Sequence, residues 1–169
     1  MNDTAQTDDE IRVMVLGASA PRLWLGVACT AGLGALLFWI VFAGRPAMSY
    51  QIAFIAAAGL SLWMADRLRR AGQDPIVLTT KVLKTESGRV LTTVDNVRSV
   101  ERGAFAFKPP NGFLVRLKEP AGKGWVPGLW WQRGRMIGVG GVVSGGQSRA
   151  MAETLTALTL GVVPDIRAP

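Results

Sequence analysis

The sequence predicts an α+β membrane protein, a two-helix transmembrane hairpin followed by a mainly antiparallel β domain closed by a C-terminal α-helix. Two charge-poor apolar runs lie within the first 65 residues, β-branched segments broken by turn residues follow from Asp74, and a last segment carries apolar residues at helical spacing. The chain of 169 residues is 49% hydrophobic at a net charge of +7, too apolar for a simple soluble basic protein. Its single cysteine, Cys29, sits inside an apolar run, so there is no disulfide framework.

A polar segment, 1–22, comes first and holds Asp3, Asp8, Asp9 and Glu10 against Arg12 and Arg22. Leu23 to Ala43 then runs 21 residues without a charge, enough at about 1.5 Å per residue to cross the roughly 30 Å hydrocarbon core of a bilayer. The length and the acidic leader read as a retained helix, since a signal peptide has a basic leader and an apolar stretch of only about 7–15 residues. A Gly44 to Ser49 connection leads to a shorter run, Tyr50 to Ala65, read as a second span with a re-entrant or interfacial segment as the alternative, and the hairpin as a whole covers 23–66. Trp24, Trp39, Tyr50 and Trp63 lie near the run ends, as aromatic belts do. Gly26, Thr30 and Gly34 recur every four residues in the first run, and Ala53, Ala57, Ser61 and Ala65 in the second, offering small-residue stripes for helix packing.

Orientation follows from the cations. The connection holds only Arg45, whereas a basic juxtamembrane linker, 67–74, holds Arg67, Arg69 and Arg70. The positive-inside rule puts the connection outside and both termini in the cytoplasm of a multi-pass inner-membrane protein. The three arginines fix topology, or alternatively bind anionic headgroups.

The β domain spans 75–161. Ile76 to Lys84 reads as one strand, Glu86-Ser87-Gly88 as a turn, Arg89 to Val94 as the returning strand, and Val97 to Phe107 as another with a bend at Gly103. A Lys108 to Gly112 turn precedes Phe113 to Lys118, where Phe113, Val115 and Leu117 share one face and Leu114, Arg116 and Lys118 form a basic one. Met136 to Val139 reads as a last short strand. Ser148 to Leu160 brings Met151, Leu155 and Leu158 together on a helix that Gly161 and Pro164 stop, leaving a tail at 162–169.

This order resembles the bacterial pleckstrin-homology-like (PH-like) domains of small membrane proteins. The residues that carry the resemblance are Leu78 to Lys84, Ser87-Gly88-Arg89, and Val94 to Glu101 with its Asp95-Asn96 pair; Val94 stands where that family often has tryptophan. The resemblance covers roughly residues 75–160 and implies a curved sheet capped by a helix, in a membrane setting. It implies no catalytic activity.

The residues themselves point away from catalysis. Histidine is absent, no metal-ligand cluster is apparent, and no G-x-S-x-G, S-x-x-K, Walker or complete G-x-G-x-x-G pattern occurs, so the expectation is a non-enzyme with no cofactor and no metal. Two other roles remain. In the first, the domain is an accessory module that holds a membrane or cytoplasmic protein partner. In the second, it binds anionic lipid, since from Arg67 onward sixteen Lys or Arg stand against seven Asp or Glu. Nucleic acid is not expected, because a tethered domain has a simpler use for its charge.

The residues 124–141, with three tryptophans, two arginines and six glycines, are the candidate contact for either role. Trp125, Trp130 and Trp131 with Lys123, Arg133 and Arg135 have the composition of an interfacial loop. A small domain needs large rings inside, so one tryptophan is expected in the core. The adjacent pair cannot both point inward from a strand and should expose at least one ring.

Overall fold

The computed structural model describes residues 11–102 and 110–162. In chain order the elements are β1 (Arg12–Leu16), α1 (Ala20–Gly44), α2 (Met48–Ala71), β2 (Ile76–Thr79), β3 (Val82–Thr85), β4 (Val90–Thr93), β5 (Val97–Glu101), β6 (Phe113–Leu117), β7 (Gly124–Val126), β8 (Trp130–Arg133), β9 (Met136–Val139) and α3 (Gly145–Thr159). Gly103, Lys108, Pro109 and the end of the expected 97–107 strand lie outside the described residues, as do the first ten residues and most of the tail.

Both long helices are apolar and long enough to cross a membrane, at 25 and 24 residues. Each extends past its apolar run, and α2 carries helical geometry through Arg67, Arg69 and Arg70, so the expected linker is the last turn of the helix. Trp39, Phe42 and Leu60 are each more than 60% exposed, part of an apolar surface that lipid would cover.

The helix seam is only half as expected. On α1 the stripe holds: a Cβ at Gly34 would lie 2.9 Å from Leu62 Cγ, one at Gly26 would lie 2.8 Å from Leu68 Cδ2, and Thr30 Oγ1 donates to Gly26 O between them. On α2 the buried residues are Ala58, Ala65, Leu68 and Ala71 with Ser61 half-buried, while Ala53 and Ala57 are exposed. The reason is geometric. Steps of four residues gain about 40° each on a helix of 3.6 residues per turn, so the Ala53 row winds off the seam, whereas alternating steps of three and four stay on it.

The β domain has two antiparallel sheets, ordered β1-β2-β3-β4 and β5-β6-β9-β8-β7. The polar N-terminal segment contributes β1, which was not foreseen. Leu16 sits opposite Ile76 and Val15 opposite Val77, so a strand from before the helices completes a sheet that begins after them. The Ile76 to Lys84 run is two strands rather than one. Thr79 Oγ1 accepts from the Val82 amide and donates to the Val82 carbonyl, each at 2.9 Å, closing a Thr80-Lys81 turn that needs no glycine. The Glu86-Ser87-Gly88 turn joins β3 to β4 as expected, with Gly88 at φ 91°.

Between the sheets, Leu78, Leu83, Leu91, Phe113, Val115, Ile137 and Trp130 pack with Met151 and Leu155 of α3. Gln132 is 4% exposed and donates from Nε2 to Leu91 O at 2.8 Å, a buried bond from the second sheet to the first. Asn96 accepts from the Glu119 amide at 2.9 Å, and its carbonyl accepts from the Lys118 amide at 2.8 Å, fixing the corner between β4 and β5. The Asp95-Asn96 pair thus has a structural role.

The helices and the β domain are joined at one end. Ser19 N donates to Val142 O at 2.8 Å and Arg22 Nη1 to Val143 O at 2.7 Å. Leu68, 8% exposed, reaches toward both Gly26 on α1 and Gly128 in the turn between β7 and β8, where a Cβ would lie 2.8 Å from its Cδ1. Gly128 also has φ 72°, so any side chain there is doubly disfavoured.

Candidate functional site

The three tryptophans divide by strand face. β7 and β8 pair with Trp125 opposite Trp131 and Val126 opposite Trp130, so Trp125 and Trp131 share the outer face while Trp130 points inward. Trp130 is 2% exposed within the core cluster. The Arg89 guanidinium lies 5.0 Å from its ring centroid, a cation–π contact. Trp130 is therefore the core residue and, contrary to the expectation, is not part of the contact surface.

On the outer face, β9 supplies Gly138 opposite Trp131 and Met136 opposite Arg133. A Cβ at Gly138 would lie 2.2 Å from Trp131 Nε1, so the indole lies across the glycine toward β6. Leu114 pairs with Gly138 on this outer face and is 1% exposed, so the expected basic face of β6 is covered at Leu114 and presents Arg116 beyond it. The glycine makes the difference. It leaves room for a large ring to lie flat over the sheet, covering apolar surface that a side chain would have displaced.

Trp125 is 52% exposed and Met136 38%, with Trp131 half-buried between them. A groove of about 460 Å³ runs along this edge, lined by Lys123, Gly124, Trp125, Trp131, Gln132 and Arg133. Its walls are apolar rings and its flanking charges are cations. Arg116, further across the same face, is engaged by Glu101.

The remaining predicted residues lie elsewhere. Arg135 is exposed in the turn between β8 and β9. On α2, Arg69 and Arg70 pair with Asp66 at 3.2 and 2.8 Å, and Arg67 stacks 5.1 Å from the Trp63 ring centroid. None of these three lines the groove. The contribution of Gly138 and Met136 was missed in the sequence, where the only available signal was the period-two alternation of β9 against Trp131 and Arg133.

Among the described residues, no group of three or more His, Cys, Asp or Glu is placed to hold a metal ion. Comparison with known protein families, with curated proteins and with solved structures finds no match to this chain.

Proposed function

We propose that this protein is a non-catalytic accessory component of a bacterial inner-membrane complex, whose cytoplasmic PH-like domain holds a protein partner beside the bilayer. The observation that carries the proposal is the groove on the outer face of the five-stranded sheet. Two tryptophan rings, one half-exposed, stand between Lys123 and Arg133 on the edge strand pair. Aromatic residues and arginine are the residue types that dominate binding energy at protein interfaces, and an edge strand offers backbone groups as well. The flanking cations favour a partner segment that is acidic around an apolar anchor.

The fold supports a membrane-tethered setting. Hydrogen bonding between β1 and β2 holds residues 12–16 and 76–79 together across the helices, and a hairpin that crosses the bilayer twice meets that requirement. The arginines at the domain end of α2 favour a cytoplasmic location for that end.

The second reading, binding of anionic lipid headgroups, draws on the closeness of β7 to α2 and on the net positive charge of the domain. A photo-crosslinking amino acid at Trp125 or Met136, with Val90 on the other sheet as a control, separates the two in intact cells. Discrete heavier protein bands from positions 125 and 136, absent from 90, support the accessory role; crosslinks to lipid alone reject it.

A further inference from the structure

We infer a second, separate site that binds a phosphate-type oxyanion at the start of α3. It stands independently of the tryptophan groove and shares no residue with it. A cavity of about 300 Å³ opens there, lined by Arg102, Asn111, Gly112, Gly145, Ser148 and Arg149.

The backbone is arranged for an anion. α3 is 15 residues long, and its first hydrogen bond is Ser148 N to Ser144 O at 2.9 Å. The amides of Gly145, Gly146 and Gln147 therefore donate to no acceptor among the described residues, and the Ser144 side chain does not cap them. Uncapped amides at a helix N-terminus carry partial positive charge directed along the axis. A Cβ at Gly146 would meet nothing within 4 Å, and one at Gly145 would lie 3.8 Å from Asn111 Oδ1, so the Asn111 side chain stands beside the first amides.

The side chains add the second indication. Ser148 is 2% exposed, lines the cavity, and its hydroxyl makes no hydrogen bond among the described residues. A hydroxyl that opens onto a cavity and has no partner among the described residues is one that a ligand oxygen could satisfy. Arg102 and Arg149 approach Glu153 at 2.9 and 3.2 Å, and Arg102 also donates to the Arg149 carbonyl, so both guanidinium groups stand at the cavity rim. Arginine, a hydroxyl and free amides together match the tetrahedral oxygens of a phosphate.

Val143, next to the Ser144 cap position, bridges to Ala18 and accepts from Arg22, so the cavity lies at the end of the domain that carries the transmembrane helices. The phosphate of an anionic lipid and a soluble phosphate are both chemically suited.

The test uses the full chain with glycine amides labelled with ¹⁵N. In uncharged detergent micelles, inorganic phosphate is titrated against sodium chloride at matched ionic strength. In a parallel arm, nanodiscs of phosphatidylcholine are compared with nanodiscs containing a quarter phosphatidic acid. The site predicts saturable shifts of the Gly145 and Gly146 amides, with Gly88 and Gly134 in distant turns unmoved. Arg149→Gln should weaken phosphate binding by about tenfold through loss of a charge-assisted bond. Ser148→Ala, which preserves helix and packing, should weaken it by several-fold. Shifts already present in phosphatidic-acid nanodiscs, with no further response to free phosphate, assign a lipid ligand. Shifts with inorganic phosphate alone assign a soluble one. No saturable shift with either probe, or shifts of undiminished affinity in both variants, would overturn the site.

Discussion

Replacing the tryptophans one at a time separates core from contact. Trp130 is 2% exposed, packs beneath Gly124 and carries the Arg89 guanidinium on its face. Trp130→Ala removes a fully buried ring and leaves a cavity between the sheets, a change worth about 3–5 kcal/mol. For a domain of this size each kcal/mol shifts Tm by roughly 4–8 °C, so a loss of at least about 12 °C is expected. Trp125 is 52% exposed and lies on the outer face, where its removal opens no internal cavity. Trp125→Ala should therefore lower stability by no more than about 1 kcal/mol, in the range of surface substitutions. Thermal unfolding of the full chain in detergent micelles, followed by far-ultraviolet circular dichroism, measures both. Equal losses in the two variants, or a Trp130→Ala variant as stable as the parent, would refute the assignment of faces.

The helix seam predicts that Gly34→Ile, forced against Leu62 and the Ala58 carbonyl, destabilises the hairpin by about 1–3 kcal/mol in the same assay, while Gly32→Ile, facing open space, does not. Gly138→Val should expel the Trp131 indole from its place across the glycine, read as a red shift of the tryptophan emission and increased quenching by acrylamide. Hydrogen bonds from Arg102 and then Arg149 hold the Glu153 carboxyl below the ordinary glutamate range. Its contribution to stability is thus present above the unfolded-state pKa and lost as pH falls through the lowered folded value. The stability difference between the parent and Glu153→Gln should accordingly shrink on acidification, as a pH series of unfolding curves would record. Protease added to inverted inner-membrane vesicles should remove the β domain, and protection there with digestion only from the outer side would reverse the orientation.

Much of the architecture was legible because its signals are local. Charge-free runs of membrane length, the Gly88 turn and the Met151, Leu155 and Leu158 spacing each need only neighbouring residues to be interpreted. What escaped depends on distant partners. β1 is five residues whose pairing strand lies beyond two helices, so nothing beside it marks it as part of a sheet. The Thr80-Lys81 turn is closed by a threonine hydroxyl within a β-branched run, and lacks the glycine, proline or asparagine that announces a turn. The choice of Trp130 as the inward ring was likewise open, because strand alternation requires the adjacent pair to point apart without saying which one faces the core. The seam on α2 was misplaced because a four-residue recurrence approximates a helix face only over a turn or two.

The accessory role is tested most directly by purifying the tagged full chain from its native membranes in mild detergent, beside a Trp125→Ala/Trp131→Ala variant that leaves the Trp130 core intact. The account predicts a stoichiometric protein partner with the parent chain and its loss from the double variant at unchanged thermal stability. A parent chain that emerges alone with anionic lipid bound, or a partner retained undiminished by the variant, would contradict it.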